Sequence, residues 1–153
     1  MSLPLAHALE FPGKLRLDEQ TYTVVQTIYY PGFTVGGIAE PVATVATLVL
    51  FLMMRDQGPQ NRLPLIALVA LAAMHLVFWS VTQPANRYWL KDQKLSKAGA
   101  NFFPVGSVDA RGRSQLGEAN WRGFRDRWEY SHVARAILAG IAFIAINVVV
   151  ATH

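Results

Sequence analysis

Four residues carry most of the chemistry that this chain of 153 residues could perform: Glu40, His75, His132 and Arg135. Each lies in or at the edge of a long apolar run. Ionisable side chains in such runs are costly in lipid and face a protein interior or a cavity. Glu40 and His75 each lie about eight residues from the same end of their runs, so both sit about 12 Å deep at 1.5 Å per residue. His75, Trp79, Thr82 and Asn86 recur at i, i+4, i+7 and i+11, one helical face. Arg125–Glu129 is an i, i+4 pair, and Glu129–His132 and His132–Arg135 are i, i+3 neighbours. One reading is a cavity with Glu40 and His75 as its floor and Asn86, Arg87, His132 and Arg135 as its mouth. It would suit an apolar molecule with one or two polar oxygens, with His75 as general base oriented by Glu40. The competing reading is that Glu40, His75 and Arg135 satisfy one another and join three helices.

The positioning elements follow from the apolar runs. Apolar residues make up 52% of the chain and charged residues 16%, well below the roughly one quarter of a soluble domain. Residues 33–54, 63–82 and 133–152 are each long enough for the ~30 Å core of a bilayer. They predict an all-α integral membrane bundle of three spans in a single domain, 1–153. Pro41 is expected to bend the first span, and Gly36-Gly37 to admit a close neighbour. Asp18 is placed to cap a helix from Glu19. Tyr29-Tyr30-Pro31-Gly32 reads as an interface anchor followed by a proline kink rather than a hinge. Residues 55–62 form a turn at their Gly-Pro pair, and Pro84 follows the second span. Residues 98–108 read as an interfacial loop, and 118–130 as an amphipathic approach to the last span. Residues 1–13 lack the features of a signal peptide. His7 and His153 fall at termini expected to fray.

Charge distribution sets topology and excludes one partner class. Nine of the fourteen Lys and Arg lie between Arg87 and Arg127, interspersed with acids and tryptophans. That is a loop retained on the positive side of a membrane, not the basic face of a nucleic-acid binder. The expectation is a multi-pass inner-membrane protein with its N-terminus and the 85–131 loop cytoplasmic and its C-terminus outside. The absence of cysteine removes thiolate metal sites, c-type haem and iron–sulfur clusters. Glu129-Tyr130-Ser131-His132 is a Glu-x-x-His, but a di-iron bundle needs two such motifs and two further glutamates. Glu40 and His75 would still leave the set short, and no metal or other cofactor is expected.

Three stretches carry a resemblance: QTIYYPGFTVGGIAEP (26–41), WSVTQPANRYWL (79–90) and RDRWEYSHVAR (125–135). A Gly-rich start to a helix, Pro84-x-Asn86-Arg87 after a later span, and Trp128 with His132 and Arg135 opening the last one resemble the anthrone-oxygenase-like family of membrane proteins. The resemblance covers about residues 20–153. It implies oxygenation of polycyclic phenols such as anthrones without metal or flavin. His75, His132, Arg135 and Glu40 would then be the catalytic set, and Trp79, Thr82, Asn86, Arg87, Trp128 and Glu129 would line the substrate. Family members often have a further N-terminal span. The short polar start here makes a homo-oligomer or a membrane partner subunit the expectation. A non-catalytic subunit of a larger membrane complex is the alternative function.

Overall fold

A computed structural model of the chain describes residues 2–29, 32–58, 62–89 and 121–152; of Thr34, Arg87, Tyr88 and Trp89 only the backbone is described. The expected interfacial loop at 98–108, the Tyr30-Pro31 step and His153 lie outside these residues. Among the described residues every regular element is helical: α1 (Ser2–Lys14), α2 (Glu19–Gln26), α3 (Gly32–Gly36), α4 (Ala39–Met54), α5 (Arg62–Val77), α6 (Gln83–Trp89) and α7 (Trp121–Thr152).

Two helical runs are long and apolar enough to cross a membrane, Arg62–Asn86 and Trp121–Thr152. The first passes through Pro84 instead of stopping before it. Proline has no N–H for the carbonyl four residues back, and its ring collides with that carbonyl. Phe78–Thr82 widens into a π-helical turn, in which the Gln83 N–H reaches back five residues to Phe78 O. The extra residue absorbs the proline and joins α5 to α6. The second run fuses the expected amphipathic approach and the expected last span into one rod of 32 residues, about 48 Å long.

The expected first span is broken. Ile38 N–H bonds to Val35 O and Glu40 N–H to Gly37 O, tight three-residue steps that separate α3 from α4. Pro41 lies in the first turn of α4, where its missing N–H costs nothing. α4 alone has 16 residues, about 24 Å. Gly36 packs closely on α1: a Cβ there would lie 3.3 Å from the Leu3 side chain, which would have to give by a few tenths of an ångström. Gly58, at φ 66°, reverses the chain after α4.

The interior has two parts. Ala67, Ala70, Leu71 and Met74 of α5 pack against Ala139, Ala142 and Ala145 of α7. Small residues let the two backbones approach closely. Towards the other end of α7 the interior is aromatic and polar: Tyr22, Tyr29, Ala85, Trp121 and Trp128 cluster there. The N-terminal segment, expected to be polar and frayed, is the helix α1 laid along α7. His7 and Lys14 are among its buried residues.

Candidate functional site

α7 presents one face to the interior through Trp121, Arg125, Trp128, Glu129, His132 and Arg135, and then through alanines. The first half of that face collects the polar groups of the bundle. Arg135 Nη2 donates to both carboxylate oxygens of Glu40, at 2.7 and 2.6 Å, tying α7 to α4. Its guanidinium also lies over the Phe78 ring. Arg135 Nη1 is 3.4 Å from His132 Nδ1. Arginine can only donate, so this nitrogen accepts and the His132 proton sits on Nε2.

His75 is half-buried and takes a different partner. Its Nε2 is 2.9 Å from Thr44 Oγ1, and the Thr44 hydroxyl also reaches Glu40 O. α4 and α5 therefore meet near the level expected for Glu40 and His75, but through the threonine one turn beyond Glu40. The π-helical turn reorders the rest of the expected face. Trp79 is exposed and packs edge-on to Phe78. Thr82 is buried and shares a 2.8 Å hydrogen bond with Ser131 of α7. Asn86 Oδ1 accepts from Trp128 Nε1 at 2.7 Å. Arg87 lies on α6, with its side chain outside the described residues.

The sequence reading missed the contribution of α1. His7, Glu10 and Lys14 recur at i, i+3 and i+7 and face α7. Lys14 Nζ lies 3.0 Å from Glu10 Oε2, 3.2 Å from His7 Nδ1 and 3.6 Å from Glu129 Oε1. Tyr22 donates to Glu129 Oε1 at 2.8 Å, and Tyr29 donates to Glu10. The His7 ring fills a box of aromatic rings. Its centroid is 4.1 Å from that of His132, 4.4 Å from Tyr29, 4.7 Å from Trp128 and 4.8 Å from Phe33. The available signal was that stripe of ionisable residues in an otherwise apolar opening segment.

Burial, then the charges of Lys14 and Arg135, push the His7 imidazole down to about 3, so it is neutral near pH 7. Burial and the neighbouring Glu129 push the Tyr22 phenol up; burial and its bond to Glu10 do the same for Tyr29. Both phenols stay protonated as donors. At the start of α2, Asp18 accepts from the Thr21 N–H at 2.8 Å, which lowers its carboxyl. A recess of about 770 Å³ opens between Leu15–Glu19 and the Trp121, Arg122 and Arg125 side chains.

Four buried side-chain atoms have no hydrogen-bond partner among the described residues: Gln26 Nε2, at the end of α2, and Glu129 Oε2, His132 Nε2 and Arg135 Nε on α7. The last three belong to residues at three-residue intervals on one helix. A bare acceptor is followed by two bare donors. Buried polar groups are ordinarily paired, so these three atoms stand out on a helix whose other buried polar groups find partners. A family model for anthrone oxygenase matches residues 27–145. The chain belongs to the anthrone oxygenase family. No curated protein and no solved structure matches it. The match takes in α4, α5, α6 and most of α7, including the three α7 residues with bare atoms. Within this anthrone oxygenase family member, α1 and α2 precede the matched stretch, so His7, Glu10, Lys14 and Tyr22 reach the layer from outside it.

Proposed function

We propose that the protein is a membrane-embedded oxygenase for a planar, apolar substrate with one acidic C–H and one carbonyl or phenol oxygen, the chemistry of an anthrone. The observation that carries this reading is the succession of Glu129 Oε2, His132 Nε2 and Arg135 Nε. Proton abstraction next to a conjugated carbonyl needs a base and, within reach, donors for the oxygen that becomes negative. Glu129 supplies the base, and its other oxygen is already held by Tyr22 and Lys14. His132 Nε2–H and Arg135 Nε–H supply the donors. The Glu40 carboxylate holds Arg135 in place from behind.

In the reaction, Glu129 Oε2 takes one proton from the substrate methylene, and the electron pair moves onto the carbonyl oxygen. The carbanion then gives its electrons to dioxygen. One oxygen atom stays on carbon as a new ketone; the other leaves as water with the second methylene hydrogen and one proton drawn from solvent, which balances the proton that Glu129 has taken. Dioxygen is the only oxidant, and the residues named move protons and stabilise charge. His75, bound to Thr44, stands apart from this set and joins α4 to α5. The three atoms are sealed from solvent, so a substrate reaches them when the surrounding helices part.

Three crossings suit this reading, with α3 and α4 together forming the shortest. Outward-facing Val42, Val45, Leu52, Val69, Ile137 and Ile144 would face lipid, and the positive-inside rule puts α1 and the start of α7 on the cytoplasmic side. A non-catalytic packing subunit would draw on the Glu40–Arg135 ion pair. It does not explain why Glu129, His132 and Arg135 each keep a bare atom.

The test is anthrone-dependent oxygen uptake by the full chain in lipid nanodiscs, with ketone formation followed by absorbance. Glu129→Gln keeps the shape and removes the base, and should lower the rate at least about 100-fold, the usual worth of a positioned general base. An unaltered rate in Glu129→Gln, or no uptake by the wild type, would sink the proposal.

A further inference from the structure

Lys14 is an ammonium buried to 4% exposure in a mostly aromatic setting. Burying such a charge is expensive unless it is paired. Its Nζ lies among three acceptors from two helices: Glu10 at 3.0 Å, His7 at 3.2 Å and Glu129, as an ion pair, at 3.6 Å. It also lies 4.7 Å from the Tyr29 ring centroid and 5.0 Å from that of Trp128. Of its carboxylate partners, Glu129 is fully buried and Glu10 is 43% exposed. One cation therefore bridges a sealed carboxylate to one that water reaches.

We propose that Lys14 is a positioning residue that holds Glu129 as a carboxylate and, with Glu10, returns the proton taken by Glu129 to water. The inference rests on the role of Glu129 as base, but its first half concerns the substrate-free protein. Among the described residues, the other groups around Glu129 supply no second nearby cation. Tyr22 is a neutral donor, His7 and His132 accept through Nδ1 and are neutral, and Arg135 is committed to Glu40. Arg125 binds Asp126 through Nε and Nη2 and Leu15 O through Nη1. Relay after turnover conserves protons. Protonated Glu129 gives its proton to the Lys14 amine as Lys14 gives one to Glu10, and Glu10 releases it to solvent. Lys14 is an ammonium before and after.

Infrared spectroscopy of the full chain in nanodiscs, without substrate, reads the charge of Glu129 directly. A protonated carboxyl shows a C=O stretch that shifts in heavy water, and Glu129→Gln identifies the band. At pH 7.5 the wild type and Lys14→Arg should lack the Glu129 band. Lys14→Met should show it, and Lys14→Met/Glu129→Gln should lose it again. A Glu129 band in the wild type overturns the inference even if Lys14→Met fails to fold; a folded Lys14→Met without the band overturns it as well. For the second half, Glu10→Gln should slow multiple-turnover oxygen uptake at least fivefold while a single turnover keeps the wild-type rate. Equal slowing of both, or of neither, overturns the relay. An ionised Glu129 in a protein that consumes no oxygen would uphold the charge-holding role and sink the oxygenase reading, so the two failures are told apart.

Discussion

The two halves of α7 pack against their neighbours by opposite means. From Ala139 to Val149 its buried face is small and apolar, and it meets the alanines of α5. From Trp121 to Arg135 the same helix buries two arginines, a glutamate, a serine, a histidine and two tryptophans. The alanine half is held by close approach and dispersion, which need only complementary shape. The polar half is held by directed bonds, each requiring a particular partner: Arg135 with Glu40, Trp128 with Asn86, Ser131 with Thr82, Glu129 with Tyr22. One half can change residues of similar volume at little cost. The other cannot lose one partner without stranding the second. The bare atoms of Glu129, His132 and Arg135 fall in the half where every other bond is directed.

The contrast is broken most severely at the Glu40–Arg135 pair. Glu40→Ala leaves a buried guanidinium uncompensated and should cost about 3–5 kcal/mol, the usual result of removing one member of a buried pair. Glu40→Gln/Arg135→Met should recover much of that in stability but not in oxygen uptake. Steric-trap or denaturant unfolding in bicelles measures the first effect. In the alanine half, Ala142→Leu forces the α5–α7 backbones apart and should cost about 1–3 kcal/mol by overpacking. Ala142→Gly should cost less, and neither should alter the infrared signature of Glu129. A smaller effect is expected at the α4–α5 link: Thr44→Val removes the bond to His75 and should cost about 1 kcal/mol or less.

The mildest probe is pH. The His7 imidazole drops from its free value of 6.5 to about 3 on folding. Between those values the unfolded chain binds a proton that the folded chain refuses, so stability falls as pH falls through that window. The groups facing His7 are Lys14 and Glu10 on its own helix, Tyr29, and His132 and Arg135 on α7. His7→Asn should flatten the stability profile between about pH 6.5 and 4. An unchanged slope would place the acid sensitivity elsewhere.

Much of this was legible in the sequence. The apolar runs through α5 and α7 are long and apolar enough to cross a membrane, and length and composition alone mark them. The Asp18 cap was readable because capping depends on one residue and the N–H groups just after it. Glu129, His132 and Arg135 were readable as one face, since three-residue spacing fixes neighbours on any α-helix. That spacing rule failed at Trp79, where the π-helical turn before Pro84 inserts an extra residue and rotates the helix. Periodicity assumes a constant turn, and Pro84 changes the turn. The partner of Glu40 was also out of reach. It could be His75 or Arg135 by depth, and only packing chose Arg135.

The sequence by itself determined which segments are apolar enough to be buried or to enter lipid, where the Asp18 cap falls, and which side chains share a face of α7. These are local properties, set by composition and by the few residues on either side. Only the tertiary structure decided that α1 reaches the polar half of α7. Lys14 and Glu129 are more than a hundred positions apart, and no period in the chain links them. They meet because α1 lies along α7 and because a buried ammonium is stable only where carboxylates from two helices converge on it.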